Sequence, residues 1–102
     1  MAGRYVRLTE VCTRFAIDEG LLQQVCEEGL VEIKQSSEAE DVISAEDAER
    51  LRLIAILMRE LDVNLPGVEV ILHLRDDLYS MQRQFDEILR TLVAELRQRM
   101  AG

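Results

Sequence analysis

Asp76 and Asp77 stand side by side, and His73 lies three residues before Asp76. Two carboxylates and an imidazole are raw material for general acid–base catalysis or for a divalent-metal site. Their spacing speaks against both. Neighbouring side chains on a helix point about 100° apart, so Asp76 and Asp77 do not converge on one ion. His73 sits between Leu72 and Leu74, beside an apolar stripe, and reads as a boundary residue. Cys12 and Cys26 each fall in an apolar helical register. Two Cys and one distant His do not make a structural zinc set, so both are expected to be small, reduced core residues. The sequence has no glycine-rich phosphate loop, no Ser/His/Asp set within reach and no His-Glu-x-x-His pattern. The chain is read as a non-enzyme, with no metal or cofactor.

Charge is the stronger signal. Against 12 Lys+Arg stand 20 Asp+Glu, a net charge of −8. Between Glu27 and Glu49 lie nine acids (Glu27, Glu28, Glu32, Glu38, Glu40, Asp41, Glu46, Asp47 and Glu49) and one base, Lys34, so nine minus one leaves the whole net charge in this segment. Nucleic-acid binding draws most of its affinity from cations that release counterions, and no basic stretch is segregated here for that task. Aromatics at 4% also provide few platforms for stacking on single strands.

The elements that carry these groups follow from the apolar periodicity. "RYVRL" (4–8) alternates like a short strand, and Thr9 is the expected N-cap of a helix over "EVCTRFAI", burying Val11, Cys12, Phe15 and Leu8. Asp18 is expected to cap a second helix, "EGLLQQVCEE", with Leu21, Leu22, Val25 and Cys26 on one face and Gly29 as its stop. Two short helices joined by a tight turn make a helix-turn-helix. "LVEIKQ" has strand alternation, "SSEAED" is a polar loop, and "VI" returns as a second strand, a small wing. Ser44 then opens a helix over "AEDAERLRLIAILMRELDV", whose acids Glu46 and Asp47 suit an N-terminal turn. "NLPG" breaks it, with Asn64 as the next cap. The last helix is expected from Pro66 to Met100, carrying a coiled-coil seam of Ile71, Leu74, Leu78, Met81, Phe85, Ile88 and Leu92. Its first half is expected to pack within the subunit. Its second half, Met81, Phe85, Ile88 and Leu92, is expected to pair across a homodimer.

This order resembles the MerR superfamily, through "LTEVCTRFAID", "EEGLVE" and "DAERLRLIAILMRELDVNLPGVEVIL". The resemblance implies a mainly α fold: a winged helix-turn-helix and connecting helix over residues 1–65, then a long C-terminal coiled-coil helix over 66–102, together one compact domain. MerR regulators typically set an Arg-Tyr-Tyr triplet on the recognition helix and an Arg in the wing. Anchored on Gly29, the triplet positions read Gln23, Gln24 and Val25, and the wing "EIKQSSEAEDVI" offers only Lys34.

A narrower resemblance is to the CbpM family of chaperone modulators. It covers about residues 5 to 95 and is most specific in "RELDVNLPGVEVILHLRDDL" (59–78), with the acidic wing and a length near 100. It implies a protein that binds the J domain of CbpA, a DnaJ-like co-chaperone, and inhibits its co-chaperone and DNA-binding activities. The acids expected to face the basic J domain are Asp76, Asp77, Glu27, Glu28, Glu46 and Asp47. The alternative is a MerR-type DNA-binding transcriptional regulator. No contact with nucleic acid or membrane is expected. The N-terminus lacks the apolar run of a signal peptide and the cysteines read as reduced, so a cytoplasmic location is expected.

Overall fold

The computed structural model describes residues 3–102. Its elements are β1 (Tyr5–Arg7), α1 (Leu8–Phe15), α2 (Glu19–Glu27), β2 (Ile33–Gln35), β3 (Asp41–Ser44), α3 (Ala45–Arg59) and α4 (Leu65–Ala101). The mainly helical fold, with helix-turn-helix, small sheet and long last helix, is the one the periodicity predicts. The described residues divide into two units between Glu69 and Val70, within the continuous helix α4.

In the first unit the sheet runs β1-β3-β2, with both pairings antiparallel. Ile43 of β3 pairs with Val6 on one side and Ile33 on the other. Three β-branched side chains therefore share one face, a favourable cross-strand set, and Ile43 is completely buried. Helices α1 and α3 pack on this sheet and on each other. Leu8 and Val11 of α1, Val25 of α2, Leu51, Ile54, Ala55 and Leu57 of α3, Val68 of α4, and the loop residues Ile17, Leu30 and Val31 join Ile43 in the core.

The helix ends are closed by specific hydrogen bonds. Asp18 accepts the Leu21 amide at 2.8 Å and Ser44 Oγ accepts that of Asp47 at 3.0 Å. Asn64 Oδ1 accepts the Gly67 amide at 2.9 Å. A Cβ on Gly67 would lie 2.8 Å from Val63 Cγ1 and 3.2 Å from that Asn64 oxygen, so this turn has no room for a side chain. At the end of α2, Gly29 is left-handed (φ 72°). The Gly29 and Leu30 amides return to the carbonyls of Cys26 and Val25, the six-to-one closure of a Schellman motif. Helix α1 ends in the same way, but its left-handed residue is Ala16 (φ 53°). Arg59, from the last turn of α3, donates to the carbonyls of Phe15 and Ala16 and clamps this strained corner.

Several expected details differ. Thr9 is not the cap of α1. The strand runs straight into the helix through Arg7, whose side chain makes no cap bond. Leu30 and Val31 are buried but lie outside β2, because the next amide, that of Glu32, is taken by Asp47 Oδ2 at 2.9 Å rather than by a neighbouring strand. Helix α3 stops at Arg59, four residues before Val63, where Asp62 turns left-handed (φ 53°), and Leu61 is exposed. Cys12 and Cys26 are half-buried, and burial pushes both thiols up. In the second unit Leu72 is buried, whereas Leu74 and Leu78, expected inside the subunit, are 56% and 66% exposed. Every residue from 81 to 102 is exposed.

The corner between α1 and α2 predicts two changes of opposite sign. Arg59→Ala should lower the stability by about 1–2 kcal/mol, since two carbonyls lose a charged donor. Ala16→Gly should raise it by up to about 1 kcal/mol, since glycine meets no steric penalty at positive φ. Urea unfolding of the two variants decides this, and a shift of the same sign in both would disprove the clamp.

Candidate functional site: an acidic helix-turn-helix face

Val25 divides α2 into a sealed side and an open one. It is completely buried, while Glu19, Gln23, Gln24, Glu27 and Glu28 are exposed. Of the three triplet positions, therefore, only Gln23 and Gln24 face outward. Gln23 Nε2 donates to Glu27 Oε1 at 3.0 Å, one turn on. No basic residue lies in the last turn of α2.

Position along the helix separates the acids into two kinds. Glu46 and Asp47 occupy the first turn of α3, where the helix dipole favours negative charge. Asp47 is half-buried, and its carboxylate already holds the Glu32 amide. These charges serve the fold. Glu27 and Glu28 stand at the opposite end of a helix, where the dipole disfavours them. Glu69, in the first turns of α4, makes this worse. Its carboxyl is close enough to hydrogen-bond that of Glu28, and this bond, with the repulsion behind it, raises the Glu28 carboxyl above its ordinary range; slight desolvation and Glu27 add to the shift. Glu69 is 41 residues from Glu28 and no spacing rule pairs them, which is why the sequence reading missed it.

Several bases of the same unit are occupied, while Arg4 and Arg14 are exposed, Arg14 lying over the Phe15 ring. Arg7 pairs with Glu40 of the wing loop at 3.2 Å and with Glu10 at 3.7 Å. Lys34 donates to the Tyr5 hydroxyl at 3.4 Å, which, more than any neighbouring charge, raises its ammonium above the usual range. Arg50 donates to the Leu30 carbonyl at 2.9 Å, Arg52 chelates Glu49, and Arg59 holds the α1 corner. The cations of the wing and of α3 are thus engaged within the protein.

The family model for MerR HTH family regulatory proteins matches residues 6–90, most of the chain. The chain belongs to that family. No curated protein matches it. The MerR architecture here carries carboxylates and amides where a DNA-reading helix would carry guanidinium groups, so family membership fixes the scaffold and a regulatory role but not the partner.

The other candidates lie elsewhere. Asp76, Asp77 and His73 are exposed on α4 in the second unit. Among the described residues no three His, Cys, Asp or Glu side chains are grouped to hold a metal ion, and no helix is long and apolar enough to cross a membrane.

The Glu28–Glu69 contact gives a pH signature. A raised carboxyl pKa means the folded chain holds this proton more tightly than the unfolded one. The bond therefore contributes its full stability below the ordinary glutamate value of 4.5, and loses it as the pH rises through the raised value. Glu28→Gln keeps a permanent donor and should melt progressively above wild type as the pH is raised from about 4.5 to 8. A constant offset in melting temperature across that range would show that the two carboxyls do not share a proton.

Proposed function

We propose that this MerR-family protein regulates by protein contact: it binds the J domain of a CbpA-type, DnaJ-like co-chaperone, occludes it, and inhibits its co-chaperone and DNA-binding activities. The observation that carries this reading is the pair Glu27 and Glu28, acids placed where the dipole and Glu69 oppose them. Charges that the fold does not want are candidates for a partner. A basic helix of a J domain supplies the missing cations, and complementary charge speeds the encounter and sets its specificity. The resemblance of residues 59–78 to CbpM modulators supports the same partner and adds Asp76 and Asp77 as contacts. In this reading Glu46 is a peripheral contact and Asp47 a weaker one, since its carboxylate is already engaged. The protein works in the cytoplasm, without metal or cofactor, and catalyses no reaction.

Family membership itself favours a second reading, a DNA-binding transcriptional regulator. The exposed face of α2, made of amides and acids with no base, opposes it. Calorimetric titration of the J domain into the protein, beside a DNA-shift assay at physiological salt, separates the two. Glu27→Lys with Glu28→Lys should weaken J-domain binding about tenfold or more, roughly 1.4 kcal/mol. The same change should leave the fold intact or firmer, because it relieves the helix end. Asp76→Lys with Asp77→Lys tests the second patch, and raising the salt toward 1 M, where screening shortens to about 3 Å, should weaken wild type. Tight sequence-selective DNA binding with no J-domain heat would overturn the proposal.

We further propose that the protein is a homodimer through Met81, Phe85, Ile88 and Leu92. These side chains are 50–64% exposed in the single chain, a contiguous apolar stripe of the kind that marks an interaction surface. Phe85→Asp should convert a sedimenting dimer to a monomer at micromolar concentration. Wild type sedimenting as a monomer there would refute self-association.

A further inference from the structure

The exposed half of α4 is apolar on a broader front than one seam. Beside Met81, Phe85, Ile88 and Leu92 runs a second row, Leu89, Val93, Leu96 and Met100, also in steps of four, three and four residues. All of its members are exposed, from 43% at Leu89 to 87% at Met100. At about 100° per residue this row is centred roughly 80° around the helix from the seam. Leu89 and Leu96 border the seam, whereas Val93 and Met100 point about 90–110° away from its centre. One helix laid along the seam, whatever its source, therefore leaves Val93 and Met100 uncovered.

The far side of this row carries guanidinium groups. Leu89, Val93 and Ala94 share a shallow groove with Arg90 and Arg97. At about 100° per residue the two arginines lie roughly 40–60° beyond Val93, on the side away from the seam. Among the described residues neither arginine makes an ion pair. Asp86 stands one turn before Arg90 and marks the lower end of the strip, and Glu95 lies across the seam from it. Arg99 falls in the register of the seam and ends it, seven residues after Leu92. Residues 89–100 hold three bases and one acid, a charge of +2, so the rest of the chain sums to −8 minus +2, or −10.

From this arrangement we infer that the strip of Leu89, Val93, Leu96 and Met100 docks an amphipathic helix of another protein, one that carries carboxylates along its edge. Apolar side chains of that helix, in steps of three and four, pack on the row as helices do in apolar grooves. Arg90 and Arg97 stand at the rim of the contact, where their planar forks match carboxylates in pairs of hydrogen bonds. Charge on the distant acids of the chain is screened within about 8 Å at physiological salt, so the local sign selects the partner. This surface is separate from the J-domain contact, which uses the acids of the chain and not its arginines.

Two helical peptides of about 18 residues, or five turns, test the strip against the full-length protein by fluorescence anisotropy. Both carry leucines in steps of four and three; one has glutamates along an edge of that stripe and the other glutamines. The glutamate peptide should bind about fivefold more tightly or better, the scale of one or two ion pairs at a rim. Arg90→Gln with Arg97→Gln should erase that preference. Val93→Asp should abolish binding of both peptides while helicity and sedimentation stay unchanged. Equal binding of the two peptides by wild type overturns the acidic partner, and no binding of either overturns the strip. Binding that survives Val93→Asp and is lost in Phe85→Asp places the contact on the seam and also overturns it. A fall in the sedimenting mass of the protein alone on Val93→Asp means that a further copy covers the row. Co-sedimentation with phosphatidylglycerol vesicles, lost in the same variant, means that a lipid surface does. Either result overturns the inference.

Discussion

The junction at Ser44–Asp47 carries more of the first unit than its size suggests. Ser44 is the last residue of β3, paired with Tyr5, and its hydroxyl caps α3 by accepting the Asp47 amide. Asp47 in turn accepts the Glu32 amide, one residue before β2, and the Ala45 amide returns to the Arg4 carbonyl ahead of β1. The sheet and its longest packing helix are therefore one continuous piece of chain with no slack between them. A slip of one residue in β3 would move Ile43 out of the core and Ser44 off the helix end together. The position of the helix-turn-helix face follows from this, because α1 packs on both α3 and β3.

Much of this was legible in the chain. Asp18, Ser44 and Asn64 announce their helices by residue type and position, and Gly29 announces a stop. Short polar side chains reach only the nearest backbone, so local rules suffice for them. What escaped depends on groups far apart in sequence. Ala16 gives no sign of a left-handed turn, since the turn is held by Arg59 from another helix. The late start of β2 depends on a carboxylate fifteen residues away. The strain at Glu28 is invisible until Glu69 is beside it. Leu61, apolar and in register with α3, is left exposed because the helix ends before reaching it.

The acids illustrate why a net charge is a poor guide to a site. The same side chain favours the fold at the start of α3 and opposes it at the end of α2. A count of carboxylates between residues 27 and 49 treats the two alike; the helix direction separates them. A helix-turn-helix scaffold can thus present acids as well as bases, and here the unfavourably placed ones sit at one helix end.

Lys34 is the only lysine in the chain, and the other eleven basic side chains are arginines. Acetylation, and any other chemistry directed at a lysine amine, has a single side-chain target, the one whose ammonium lies over the Tyr5 ring. Guanidinium groups stay protonated throughout the pH range in which proteins remain folded. Eleven of the twelve positive side chains are consequently indifferent to lysine acetyltransferases and to alkaline conditions, and acylation can change the basic count of this chain by one charge alone, at the strand that lies beside Tyr5.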